Sequence, residues 1–224
     1  MSRSDKRSRT DASLADRLID AAEMLYAQHG IGGASLRQIS AAAGTANNYA
    51  VQYHFGDMAG LLRAILEKRM PEIERQRAML LAKAKTTQRL GDLRALNEVL
   101  YLPLIEHKSP DGERWFARFV LTLFTSSTGL RTSRGSEQLT PVSAHVLDLQ
   151  SAALPSVPPR LLRERHRMIA TMILTAVLNR HAPFDERADE AIADNALDMA
   201  TAALSAPVGK SLLAVLKKAP PSRR

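Results

Sequence analysis

Between Ala41 and Asp57 the chain reads AAAGTANNYAVQYHFGD, which gathers two of its four tyrosines with two asparagines, a glutamine and a histidine. These side chains offer hydrogen-bond donors and acceptors with little fixed charge. Amides of Asn and Gln pair with the N6 and N7 edge of adenine. Tyrosine hydroxyls bond phosphate oxygens, and their rings meet thymine methyls. At 100° per residue, Val51 and Phe55 fall on one side of a helix while Tyr49, Gln52 and Tyr53 share the other. Asn47 and Asn48 stand at its N-terminal edge, and His54 flanks the apolar stripe. The spacing predicts a short helix with one sealed face and one polar face. A structural use of the same residues is the alternative: both tyrosines packed beneath a larger body, the amides serving only as helix caps.

Chemistry of other kinds finds less support. The six histidines (His29, His54, His107, His145, His166, His181) show no H-E-x-x-H pairing, and no glycine-rich phosphate loop is present. The run RERHRM reads as a charged helix face. With no cysteine in the chain, disulfides, thiolate nucleophiles and cysteine-bound zinc are excluded, and a reducing cytoplasm is the expected setting. No metal or cofactor is expected. A Ser–His–Asp set assembled in space stays open as a helical enzyme, but no residue pattern points to one.

The elements that must position the polar segment are helical throughout. LADRLIDAAEMLYAQHG places Leu14, Leu18, Ala21, Ala22, Leu25 and Tyr26 at helical spacing, and Gly30 ends the run. SLRQISAAAG opens with Ser35 and Gln38 spaced as a capping box and closes on Gly44. The polar segment supplies a third helix, roughly 48–55, broken by Gly56. Asp57 caps a fourth, predicted to run to Pro71. A short helix braced by a preceding one across a glycine turn is how a helix-turn-helix presents a reading face.

Longer helices are predicted beyond Pro71: 72–86, 92–107, 113–126, 142–153, 160–179 and 186–204. No strand alternation or repeat appears. The expectation is an all-α chain, with a small head joined through its fourth helix to a larger helical body. The charged start is no signal peptide, and the longest apolar run, about 168–178, is too short to span a membrane. The formal charge of +8 sits at the ends. Residues 1–13 are a flexible basic arm carrying Arg3, Lys6, Arg7 and Arg9, and 206–224 a basic tail, while the middle is near neutral. That balance argues against a nonspecific architectural DNA binder, which needs its charge on the folded surface.

The stretch RLIDAAEMLYAQHGIGGASLRQISAAAG, followed by YAVQYHFGDMAGLLRAILEKR, resembles the DNA-binding head of the TetR family of bacterial transcriptional regulators. The likeness rests on Arg17, Ala21, Ala22, Leu25, Tyr26 and Gly30, then Ser35-Leu36-Arg37 and Ile39. It continues through Ala42-Ala43-Gly44 and the run Tyr53 to Gly56 with Leu61 and Leu62. It covers residues 14–70 and implies a head over 14–60 and a ligand-binding and dimerisation body over 61–205. It further implies that Ser35 bonds a phosphate, that Arg37 meets a phosphate or guanine, and that Gln52, Tyr53 and His54 touch DNA. Asn47, Asn48 and Tyr49 complete the expected contact set. Their register against bases is left open, because the turn from Gly44 to Phe55 is one residue longer than the usual pattern. A lysine common at the start of the fourth helix is Met58 here.

The same resemblance implies a homodimer formed by the last two long helices, a palindromic duplex as partner, and a small-molecule effector. Repression is the expected outcome, with activation as the alternative. The segment ERWFARFVLTLF puts Phe116, Phe119, Val120, Leu123 and Phe124 on one stripe beside Trp115. His145 and Asn179 are polar residues in apolar helices. Trp115, Phe116, Phe119, Leu123, His145 and Asn179 are therefore the candidates for lining an effector cavity, which their composition suits to an apolar or aromatic molecule.

Overall fold

A computed structural model describes residues 3–128, 137–178 and 186–212 of the chain. Among the described residues all regular structure is helical. The head contains α1 (Arg3–His29), α2 (Leu36–Ala42) and α3 (Ala50–Phe55), and α4 (Met58–Thr86) leads out of it. The body adds α5 (Leu93–Glu106), α6 (Trp115–Thr125), a single 3-10 turn at Glu137–Leu139, α7 (Pro141–Ala153), α8 (Pro159–Leu178) and α9 (Glu186–Ser205). Asn179, proposed for the effector cavity, lies outside the described residues, as do the last twelve residues of the tail.

Several boundaries differ from the sequence reading, three of them consequentially. Helix α1 begins at Arg3 and takes in the segment read as an arm. Helix α3 starts at Ala50, two residues late, because the Asn47 side-chain carbonyl accepts the Tyr49 N–H at 2.9 Å and holds 47–49 in a turn. Helix α4 runs through Pro71 to Thr86. An interior proline costs a helix about 3 kcal/mol. Yet Pro71 sits on the exposed side, while Ile65, Leu66, Met70 and Ile73 form an unbroken buried face across it. Burying each such side chain contributes about 1.5–3 kcal/mol, so the face outweighs the proline.

In the body, α9 packs along α8, α6 lies between α1 and α8, and α5 touches α4, α7 and α9. Two polar ties cross this core. Arg77 of α4 donates to the Leu100 carbonyl (3.1 and 2.7 Å), to Glu74 (2.8 Å) and to Ser143 (2.7 Å). Glu74 in turn accepts from the Val142 N–H at 2.7 Å and the Ser143 hydroxyl at 2.9 Å. A carboxylate of α4 thereby satisfies the open amide end of α7. The second tie is neutral: Gln150 of α7 donates to Asn97 of α5 (2.9 Å), and Asn97 donates to Thr201 of α9 (3.0 Å). Among the described residues no helix is long and apolar enough to cross a membrane.

Candidate nucleic-acid interface

The reading segment is held by devices already written in its sequence. Ser35 caps α2: its hydroxyl accepts the Gln38 N–H at 3.3 Å while the Gln38 side chain accepts the Ser35 N–H at 2.8 Å. At the other end the Thr45 N–H reaches the Ser40 carbonyl (3.1 Å) and the Gly44 N–H reaches Ala41 (3.0 Å). This pairing closes a helix on a left-handed residue, and Gly44 has φ +73°. Arg17 of α1 then donates its Nε to the Ala43 carbonyl at 3.0 Å. The turn between α2 and α3 is thus pinned to α1 by a side chain that sequence reasoning matched to a family pattern but gave no role.

Helix α3 is sealed on one face and open on the other. Ala50 and Val51 are 1% and 0% exposed, and Phe55 packs partly buried against the same core, as the spacing predicts. Tyr49 is 72% exposed and Tyr53 78%, with Gln52 exposed between them. The tyrosines do not tuck beneath the body. His54 is half-buried, its ring edge-on to Tyr53 at 5.0 Å. Ser35, Arg37, Asn47 and Asn48 are exposed as well. One of these expected contacts is shared: the Asn47 carbonyl is already engaged with Tyr49, which leaves its amide nitrogen the free end. Beyond α3, Gly56 turns the chain at φ +75°, and the Asp57 carboxylate accepts the Gly60 N–H at 2.8 Å to start α4.

Charge within the head is spent mainly on joining α1 to α4. Lys68 meets Asp16 (3.1 Å) and Asp20 (2.8 Å), and Arg69 meets Asp20 (2.8 Å) and Glu23 (2.7 Å). Glu23 is 1% exposed, and burial raises its carboxyl above the usual range against the opposing pull of Arg69. Tyr26, one turn on, stacks on Phe119 of α6 with ring centroids 6.4 Å apart, and burial pushes its hydroxyl up to about 12. The head is therefore tied to the body by an ionic seam along α4 and an aromatic contact through α6. Arg37 has no ion-pair partner among the described residues and is free to meet a polyanion.

The residues expected to line an effector cavity are placed otherwise. Phe116 and Phe119 are both 0% exposed, one ring against His107 at 6.0 Å and the other against Tyr26. They are core. Leu123 is buried with them. Trp115 is half-buried and donates its indole N–H to Asp111 at 2.8 Å. His145 is exposed, because the inner face of α7 is set by Val146 and Gln150 and the residue before Val146 turns 100° away. None of these five borders a cleft that lies between α5 and α9. Sequence reasoning missed that cleft. Its signal was modest: acids at i, i+4 spacing on α9 (Glu190, Asp194, Asp198) opposite Arg94 and Glu98 on α5.

Among the described residues no group of three or more His, Asp or Glu side chains is arranged to hold a metal ion. No curated protein matches the chain. Solved structures resemble it, among them these two. One is a TetR-family transcriptional regulator from Mesorhizobium loti, at 14% identity and TM-score 0.46, covering 86% of this chain and 96% of that one. The other is the TetR-family transcriptional regulator PfmR from Thermus thermophilus, at 18% identity and TM-score 0.48, covering 83% and 97%. Residues 18–65 match the family model of the bacterial regulatory proteins, tetR family. That span takes in α1 from Leu18, the capped α2, the exposed face of α3 and the start of α4, and over it the head of this chain matches the helix-turn-helix DNA-binding head of that family.

Proposed function

We propose that the chain is a ligand-responsive transcriptional repressor that binds a palindromic operator as a homodimer in the cytoplasm. The observation that carries the reading is the exposure of Tyr49, Gln52 and Tyr53 on a helix whose opposite face is sealed by Ala50 and Val51. A six-residue helix is too short to persist unless it is packed, and here packing consumes the inner face alone. What remains outward is a row of neutral hydrogen-bonding groups suited to base edges. Ser35 and Arg37 at the start of α2 flank it, where phosphates pass. In this reading Asn48, Gln52 and Tyr53 specify sequence, His54 and Ser35 position the helix, and no residue performs catalysis.

Two heads are needed to read a palindrome. Helices α8 and α9 leave Met168 and Met199 exposed, 64% and 51%, beside small residues such as Ala176, Ala191, Ala202 and Ala203. Such a surface lets helices of a second copy approach closely. The two α3 helices would then sit in successive major grooves, about 34–36 Å apart. Occupancy blocks transcription, and a small molecule bound in the body releases the operator by favouring another head spacing. The experiment is selection of bound duplexes from a random pool with the full-length protein, followed by footprinting. Inverted half-sites about one helical turn apart are expected. Enrichment of no sequence, or of single unrepeated sites, refutes the dimeric regulator.

A further inference from the structure

The cleft between α5 and α9 encloses about 190 Å3, and every residue around it belongs to the body. Its floor is apolar, made by Leu102 and Ile105 of α5, Val177 of α8, and Ala193 and Leu197 of α9. Its rim is ionic, and unevenly so. Glu98, Glu106, Asp189, Glu190 and Asp194 line it with Arg94 and Arg114, and Arg89 stands 3.8 Å from Glu98 outside the lining. Neither lining guanidinium is surplus. Arg94 is divided among Glu98 (2.9 Å), Asp194 and, just outside the cleft, Asp198 (2.8 Å). Arg114 donates to the Ile105 carbonyl at 2.6 Å and stands 3.7 Å from Asp189. Glu106 and Glu190, on opposite walls, are exposed and have no cationic partner among the described residues.

We infer that this cleft binds a small organic cation, an ammonium group carried on a short apolar or aromatic body. The floor requires the apolar body, because water held against five aliphatic side chains gains few hydrogen bonds there. Unmatched carboxylates on both walls require the positive head and repel an anion. A bare metal ion fits poorly, since it leaves the floor unused and the described residues hold no ligand group for one. Size narrows the class further. An apolar cavity of about 150 Å3 admits benzene, so the cleft has room for one ring with its ammonium arm reaching the rim between Glu106 and Glu190.

For its regulatory consequence alone the inference rests on the proposed function, whose effector class it supplies. One wall, α5, packs on α4, which begins at the head; the other, α9, carries the proposed dimer surface. A cation drawn between the two walls changes their separation and so the spacing of the heads.

The test is calorimetric titration of the full-length protein with benzylammonium, set against benzyl alcohol and benzoate, which keep the ring and change the charge. Saturable binding of benzylammonium is expected, at least about tenfold tighter than either comparator and weakened by salt. The variant Glu106→Gln/Glu190→Gln removes two exposed charges and no ion pair. It should melt as the parent does and lose benzylammonium affinity about tenfold. Equal binding of benzyl alcohol, undiminished binding by the double variant, or failure of benzyl-, phenethyl- and butylammonium alike to bind would each overturn the site. Operator affinity is measured separately. Charge-selective binding that leaves operator affinity unchanged upholds the site and removes its role as the effector's.

Discussion

The substitution that bears most directly on the reading face is Gln52→Ala. The Gln52 side chain is exposed and makes no hydrogen bond to the rest of the described protein; only its backbone carbonyl is used, by Gly56. Its removal therefore breaks nothing in the fold, and alanine favours helix slightly more than glutamine does. Stability should stay within about 0.5 kcal/mol of the parent. If Gln52 pairs with a base edge, operator affinity falls by about 1–3 kcal/mol, a loss of roughly 5- to 150-fold. The loss should be confined to duplexes carrying the preferred base at one position of each half-site, because a neutral side chain discriminates without attracting. For the same reason the dependence of affinity on salt should not change, since no counterion release is forfeited. Fluorescence anisotropy with a panel of single-base operator variants, repeated at several salt concentrations, measures all three quantities. Val51→Ala, on the sealed side of the same helix, is the contrast. It opens a cavity where the parent side chain is 0% exposed and should lower the melting temperature while leaving base preference intact. A uniform loss for Gln52→Ala across all duplexes, or none, would show that this face does not read bases.

Arg37→Ala should behave in the opposite sense, weakening all duplexes alike and reducing the salt slope by about 1, as removal of one phosphate contact demands. Met168→Glu with Met199→Glu should convert a species of twice 24.6 kDa into a monomer by light scattering and abolish footprints on paired half-sites; a persistent dimer relocates the interface. Glu74→Ala strands the buried Arg77 guanidinium and uncaps α7, a cost of about 3–5 kcal/mol that should lower the melting temperature by about 6–20 °C by calorimetry. Burial lowers His166 from its ordinary value to about 4. The unfolded chain therefore binds the extra proton between pH 6.5 and about 4, and stability is full above that window and falls as pH drops through it. His166→Gln should flatten that part of the melting profile, and an unchanged profile assigns the acid sensitivity elsewhere.

The fold and its DNA-binding head were legible because their signals are local. The Ser35 and Gln38 capping box, the Gly44 and Gly56 stops and the Asp57 cap each act within four residues, and each is found in place. The polar face of α3 was legible because its period is that of one helix against one core. The body resisted for the opposite reason. Whether Phe119 lines a cavity or packs a core depends on what lies opposite, and Tyr26, ninety-three positions earlier, fills that space. His145 reads as an intruder in an apolar helix until the 100° step from Val146 sends it to solvent. Pro71 reads as a stop until the buried run around it is counted. Side chains from α5 and α9 meet at the cleft across about a hundred residues of intervening chain, and no short-range pattern announces a pairing of that kind.

The distribution of charge explains why so basic a chain has so neutral a head. Lys68 and Arg69 lie on α4 close to the DNA-binding unit, yet three carboxylates of α1 hold them at 2.7–3.1 Å. Positive charge spent on this seam cannot also grip phosphate, and Met58 supplies none where the family resemblance expects a lysine. Any affinity for DNA supplied by residues 14–70 then comes more from base-edge and phosphate hydrogen bonds of neutral groups than from counterion release. Such an interface binds nonspecific DNA weakly and loses little to added salt. The seam has a second effect. It makes α1 and α4 move as one piece, with Tyr26 on Phe119 joining that piece to α6, so a displacement of α4 from within the body reaches α3 without being absorbed at the junction. In the regulator proposed above, rigid attachment and low background charge would serve the same end: a head held by the right sequence and little else, which a modest change in spacing would release.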